Sequence, residues 1–418
     1  MYRDHSVAVV VPAYNEAGFV GDVLMSMPEY VDRVYAVDDC STDGTWAEIC
    51  RFATCDPIDD ATELVSDRVD TSEDDHATSP TPSPRSDGGD RTGVAPSAAS
   101  GSRNVSRDVT GRSRGSESDV STQRPTAGPT IVPIRHEENR GVGAAITTGY
   151  RCARREGIDA TAVMAGDGQM DPDQLPRLID PIVEGRAAYA KGNRLRGRAQ
   201  YDSMSTFRFG GNVLLSLLTK IASGYWGMVD PQNGYTAIAG EALEAIDLDS
   251  LYTEYGFAND LLVVLNAEGF AIADVAMPAV YGDERSHISY RTFVPRLSWL
   301  LWRRFLHRLG IRYVMQDFHP LVALYALGIG GLAVGIGTLV SNRFDRRSTS
   351  PSDRASNSGS PTKDGDDGHT AADPETSHET RSIRWWLAGV WTLCSAIALC
   401  LAMAFDHDAN EGSVVVEE

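Results

Sequence analysis

Short apolar runs alternate with amphipathic stretches through most of the chain. Val7–Val11 (VAVVV), Val34–Val37 (VYAV), Ile131–Ile134 (IVPI), Thr161–Ala165 (TAVMA), Ala187–Lys191 (AAYAK) and Ala271–Met277 (AIADVAM) predict strands, being rich in β-branched and aromatic residues and bounded by turn formers. Gly143–Arg155 and Pro172–Glu184 carry apolar residues at helical spacing and predict helices between them. Strand and helix in alternation imply an α/β fold, a mostly parallel sheet covered by helices. Ligands of such sheets bind beyond the carboxyl ends of the strands.

Two longer runs break this rhythm. Leu321–Val340 and Trp385–Phe405 carry no charge, and the second opens on the interfacial pair Trp385-Trp386. A run of about 20 residues makes roughly 30 Å of helix, the hydrocarbon thickness of a bilayer, so both predict transmembrane helices, a buried core helix being the alternative. Gly331 and Gly335 have the small-xxx-small spacing that lets such helices approach closely. Ahead of them, Arg291–Arg312 mixes Trp, Leu and Phe with Arg at helical spacing. It predicts an interfacial amphipathic helix, or else a helix on the domain surface.

Two segments, 56–129 and 342–383, are full of Ser, Asp, Gly, Pro and Thr. Neither holds enough large apolar residues to offset the entropy of ordering a chain, so both are expected to be disordered. Residues 1–55 and 130–290 are then expected to form one catalytic-sized domain around the 56–129 insert. Next come amphipathic helices over 291–318, a span at 319–341, the 342–383 loop, a span at 384–405 and an acidic tail over 406–418.

Composition narrows the partners. Fifty-eight Asp and Glu against 38 Lys and Arg give a net charge of -20 over 418 residues, which argues against a nucleic-acid partner. An acidic surface suits a salt-rich cytoplasm, and acidic inserts would give the same totals. The six cysteines form no CxxC pair and no Cys/His metal spacing, which fits a reduced compartment. The opening MYRDHSVAVVVPAYNE lacks a signal-peptide layout.

The chemistry-bearing motifs fall where the predicted strands end. They are Pro12-Ala-Tyr-Asn-Glu16, Asp38-Asp-Cys-Ser-Thr-Asp-Gly-Thr45, Asn139-Arg-Gly-Val-Gly-Ala-Ala145 and Ala165-Gly-Asp-Gly-Gln-Met-Asp-Pro172. A carboxylate at a strand end can accept from a nucleobase N–H or a ribose hydroxyl. Asp38 and Asp43 have a plainer alternative in turn and cap work, and for Asp43 that is the expectation. In this order and spacing the motifs resemble the family 2 glycosyltransferases, and within them the dolichyl- or polyprenyl-phosphate sugar synthase branch. The resemblance covers about residues 6–290 minus the insert.

The resemblance implies a GT-A fold, Rossmann-like, with the amphipathic helix and two spans after it. It implies that Pro12, Tyr14 and Glu16 shape a nucleoside pocket and that Asp39, with Asp38, reads base or ribose. Asp167 stands at the family's second metal-binding Asp and Gln169 at a further ligand, for Mg²⁺ or Mn²⁺ on the donor diphosphate. The chain departs from pattern at Ala165, which occupies the first Asp of Asp-x-Asp, and Asp171 is a further candidate ligand. Arg194 and Arg208 stand near arginines that hold the acceptor's phosphate, work that suits a guanidinium fork. Arg285, in Tyr281-Gly-Asp-Glu-Arg-Ser-His287, is the candidate for the diphosphate. Asp260 stands where relatives carry an acidic residue that deprotonates the acceptor. A lipid phosphate, largely ionised at neutral pH, needs no strong base, so Asp260 is expected to position or assist.

The activity implied by the resemblance is that of an inverting hexosyltransferase carrying sugar from a UDP- or GDP-sugar to a polyprenyl or dolichyl phosphate. It is expected in the cell membrane, multi-pass, with the catalytic domain cytoplasmic because sugar nucleotides are cytosolic. Arginines flank the first span on both sides, so charge alone leaves the orientation open. The alternatives are a family 2 enzyme elongating a lipid-linked glycan or polymer, against which the missing Gln-x-x-Arg-Trp motif counts, and a non-catalytic scaffold whose metal site has decayed.

Overall fold

The computed structural model describes residues 1–55, 128–194, 206–278, 290–316, 319–348 and 374–417. The expected disorder of 56–129 lies outside these residues save for 128–129, as do 349–373 of the 342–383 loop and Arg285 with its motif.

The chain runs β1 (Val7–Ala13), α1 (Val20–Met25), β2 (Arg33–Asp38), α2 (Thr45–Phe52), β3 (Thr130–Arg135), α3 (Val142–Glu156), β4 (Ala160–Val163), α4 (Leu175–Val183) and β5 (Tyr189–Asn193). It continues with α5 (Thr206–Ser223), β6 (Thr236–Ala239), α6 (Gly240–Ala245), α7 (Phe257–Ala267), β7 (Ile272–Ala276), α8 (Tyr290–Gly310), α9 (Leu321–Ser348), α10 (Pro374–Ala409) and β8 (Val414–Glu417). Among the described residues these strands make one eight-stranded sheet ordered β3-β2-β1-β4-β6-β5-β7-β8. All pairings are parallel except those of β6, which runs antiparallel between β4 and β5, with Thr236 opposite Val163 on one side and Lys191 on the other. The six predicted strands are all present, with ends shifted by up to two residues.

Each residue of β1 is buried, so its run of valines reads as a strand covered on both faces. α3 packs over β1 and β2, where Gly149 lets its backbone close on Val10. α4 covers β4, β5 and β6 with its buried Leu175, Leu178 and Ile179. Each such side chain removed from water contributes roughly 1.5–3 kcal/mol.

The last third of the chain is tied to this sheet. A second core joins Leu215 of α5, Val263 of α7, Leu297, Leu301 and Phe305 of α8, Leu321 and Tyr325 of α9 and Ala402 of α10. α9 and α10 lie side by side, with Gly328, Gly331 and Gly335 set against Leu399, Ser395 and Thr392, so the glycine spacing does bring two backbones together. Leu321–Ser341 and Trp386–Ala409 are long and apolar enough to cross a membrane, with mean hydropathy of 1.9 and 2.1 and most of each left uncovered. The residues expected as an acidic tail instead complete α10 and then form β8, which pairs with β7 in register Ile272 to Val414. The three valines of that strand outweigh its acidic neighbours because β7 leaves one edge open to pairing.

Candidate active site

The loops at the carboxyl ends of β1, β2 and β4 are laced together by their backbones. Asp39 N–H donates to Ala13 O at 2.9 Å and Gly166 N–H to Pro12 O at 3.1 Å. Asn15 turns the chain at φ 58°, and its side-chain oxygen accepts from Thr42 N at 2.9 Å. Asn15 N donates to Ser41 Oγ and Glu16 N to Thr45 Oγ1, at 2.9 and 2.8 Å. Pro12 is buried in this seam, Glu16 half-buried, and Tyr14 is 46% exposed above it.

Asp38 and Asp39 end β2 and part company there. Asp38 is buried; one oxygen accepts from Ser41 N at 3.1 Å and the other lies 3.2 Å from Arg135 Nε, an ion pair without hydrogen-bond alignment. The Arg135 guanidinium also rests over the Trp46 ring of α2. Asp39 accepts from His136 Nδ1 at 2.7 Å, Arg140 N at 2.9 Å and Gly141 N at 2.8 Å. Burial raises its pKa, but the bonds from His136 and from these two amides outweigh it and hold the carboxyl below its ordinary value. Its three bonds thus go to the loop entering α3, a task that strand-end position alone did not reveal. An open cleft of about 350 Å³ lies beside it, lined by Cys40, Arg135, His136 and Glu137.

Beyond β4, Gly168 at φ 72° reverses the chain and Asp167 accepts from Gln169 N at 3.0 Å. Asp171 caps the next turn by accepting from Asp173 N, and its carbonyl accepts from Tyr235 OH at 2.9 Å. Asp43 likewise does the expected turn work, bonding Thr45 N and Ala17 N.

The far half of the same edge is polar and deeply covered. Lys191 is fully buried and its Nζ donates to Asn233 O. Burial pushes its pKa down to about 8, against the opposing charge of Asp230. Arg194 Nε pairs with Asp230 at 3.1 Å while its side chain stays 44% exposed. Asp39, Asp167 and Arg194 therefore follow β2, β4 and β5 on one edge, the outer two separated by four strand spacings, roughly 19 Å.

Asp260 sits apart from this row, on the first turn of α7. It is fully buried, and α8 holds it: Arg304 Nε meets Oδ1 at 2.5 Å, and Arg304 Nη2 and Tyr252 N meet Oδ2 at 2.8 and 2.9 Å. Arg208 falls in α5, where only the backbone path is described. His136 and Arg304 were not singled out from sequence. The signal for His136 was its place at the end of β3, two residues from Glu138-Asn-Arg-Gly141; for Arg304 there was none, since its partner lies 44 residues away.

Residues 8–60 and 115–246 match the model of the glycosyl transferase family 2. Over those residues the chain is similar to glycosyl transferase family 2. The unmatched stretch between those segments falls within the 56–129 insert. Among curated proteins it is similar to the UDP-N-acetylglucosamine–dolichyl-phosphate N-acetylglucosaminyltransferase of Methanococcus voltae, 28% identical over 37% of this chain and 61% of that one. It is also similar to the undecaprenyl-phosphate mannosyltransferase of Micrococcus luteus, 28% identical over 39% and 66%. The chain thus spans under two thirds of the length of these relatives. A solved structure, glucosyl-3-phosphoglycerate synthase of Mycobacterium tuberculosis with uridine diphosphate, is 17% identical over 74% of this chain and 81% of that one, with TM-score 0.42.

Proposed function

We propose that this family 2 transferase is a membrane-anchored enzyme that moves a sugar, with inversion, from a UDP- or GDP-sugar to a polyprenyl or dolichyl phosphate. The observation that carries the reading is the single sheet edge bearing Asp39, Asp167 and Arg194 in a row, in a unit whose second core is shared with two apolar helices. The two curated relatives act, by name, on dolichyl and undecaprenyl phosphate, which supports the same acceptor class here.

In this reading the nucleoside lies at the β1–β2 end, against Pro12, Tyr14 and Glu16 and the cleft beside Asp39. The diphosphate crosses the Asp167 turn, and the lipid phosphate meets Arg194, which keeps an exposed guanidinium although it is paired with Asp230. Arg208 and Arg285 belong to the phosphate-binding set by motif. The acceptor oxygen is already ionised at neutral pH, so attack at the anomeric carbon needs placement more than proton removal.

Among the described residues no group of three or more His, Cys, Asp or Glu converges. Asp167 and Gln169 on one turn fit the sparse protein share of a Mg²⁺-type site, which takes one or two carboxylates and fills up with phosphate and water. Such an ion would neutralise the departing diphosphate. The pairing of β8 with β7 supports a hairpin of two spans that begins and ends on the side of the sheet. Since sugar nucleotides are cytosolic, that side is assigned to the cytoplasm.

The test is direct. Membranes holding the chain are incubated with radiolabelled UDP- and GDP-sugars and extracted with organic solvent. Label in the solvent phase that disappears with Asp167→Ala supports the reading. Label in polymer favours an elongating transferase, and no transfer from any donor, with Asp167→Ala unchanged, leaves a scaffold.

A further inference from the structure

We infer that Arg304, carried by α8, is a positioning residue for the donor end of the site, acting through Asp260 and the 252–256 loop. Asp260 has both oxygens engaged, by the Arg304 fork and by Tyr252 N, and is fully buried. A carboxylate so held has its oxygens turned to α8 and to the loop. Its geometry is that of a peg, fixing the start of the loop to α8. Arg304 Nη2 also reaches Ser250 O, just ahead of that loop. At the loop's other end Gly256 packs directly under Leu297 and Leu300, again of α8, so a Cβ there would come within 3.0 and 3.1 Å of them.

The pinned loop in turn bears on the start of α3. Ala144 N donates to Thr253 O at 3.1 Å. A Cβ at Gly141 would lie 2.6 Å from Thr253 O, and one at Gly143 2.5 Å from Tyr252 O, so the two backbones touch with no room between. Gly141 N is also one of the three donors that hold Asp39, and Gly141 itself stands at φ 91°, a conformation that side chains resist. From Arg304 to Asp39 the path is therefore four contacts long, made by the part-buried Arg304, the buried Asp260 and Asp39, and backbone groups between them. α8 is the helix that joins the apolar hairpin to the catalytic unit. Its seating consequently sets how firmly residues 139–145 grip the Asp39 carboxylate.

The effect on donor binding rests on the reading of Asp39 proposed above; the bracing of α3 does not. Amide hydrogen exchange on the full chain in lipid nanodiscs separates the two. In Arg304→Gln, exchange over 252–256 and 139–145 is expected to quicken roughly tenfold or more, as a local loss near 1.4 kcal/mol would give, with β1 and β4 unmoved. Arg304→Lys, which keeps the charge but not the fork, should fall between. Loosening of 252–256 alone, or of the whole sheet equally, overturns the inference.

Steady-state kinetics then test the role. Arg304→Gln and Asp260→Asn should raise the KM for the nucleotide sugar several-fold with kcat little changed. A kcat lowered roughly a hundredfold or more at unchanged KM in Asp260→Asn would mark a general base and overturn the inference. Quickened exchange at 139–145 in a chain that transfers no sugar would sustain the bracing and remove only the proposed reaction.

Discussion

Arg308 of α8 and Asp406 of α10 face each other at 2.8 Å, both fully buried, where the returning apolar helix meets the sheet-bearing unit. Asp406 also accepts from Tyr313 OH at 2.8 Å and Asn410 Nδ2 at 3.1 Å, and Arg308 also donates to Asn266 of α7. A buried pair of this kind gives little net stability, but breaking it strands a charge. Asp406→Ala should therefore cost about 3–5 kcal/mol, whereas Arg308→Met with Asp406→Leu should recover most of that loss. Thermal unfolding of the wild type and the two variants in one detergent checks the order; equal losses in the single and double variants would refute it.

Lys191 predicts an alkaline signature. Its folded pKa is pushed down to about 8, mainly by burial, from an ordinary 10.5. Between those values the unfolded chain keeps a proton that the folded chain has released, so stability gains from rising pH there. Below about 8 both states are protonated and the burial penalty is fully felt. Relative to Lys191→Met, the wild type should grow more stable from pH 8 to pH 10, with no trend from pH 6 to 7. Paired melting curves at each pH cancel the other titrating groups, and a flat difference across the alkaline range would contradict this.

Asp39 predicts the opposite edge of the pH scale. Its pKa is depressed below the ordinary 3.8, so its contribution is complete above that value and vanishes as pH falls through the lower, folded one. Donor affinity should then hold from pH 7 to about pH 5 as far as this group is concerned. His136→Ala removes the 2.7 Å bond to Asp39, a loss of about 1.5–3 kcal/mol for a bond to a charged group. Isothermal titration with UDP and GDP should show at least tenfold weaker binding of whichever nucleotide the wild type prefers.

Arg194→Ala should act at the other end of the edge. Removing this guanidinium should raise the KM for a short-chain polyprenyl phosphate while leaving nucleotide binding unchanged. Arg194→Lys should restore only part, because an ammonium lacks the fork that meets two phosphate oxygens. Titration of acceptor at saturating donor separates the two constants.

The sheet was legible because its strands are continuous apolar runs closed by turn residues, and β1 with its buried valines is the plainest case. β6 escaped notice because Thr236–Ala239 is only four residues long, low in contrast, and joined at once to a helix. β8 was missed for a different reason. Val414-Val-Val-Glu417 reads as the apolar remnant of an acidic tail unless an open partner edge is known, and β7 is far away in sequence. The carboxylates of the candidate site were legible as strand-end residues, because the apolar runs that carry them are local in sequence. The partners that define them were not. His136 lies 97 residues from Asp39 and Arg304 44 from Asp260, and no periodicity links such pairs.

The strand that closes the sheet comes last, after two passes of apolar helix. A ribosome therefore delivers β7 long before the segment that will cover its edge. Until the hairpin has turned and come back, that edge is bare and free to recruit any extended peptide. With the two apolar helices crossing a bilayer as proposed, correct insertion becomes a condition for finishing the sheet, and a chain threaded the wrong way would declare itself by a sticky, protease-sensitive flank.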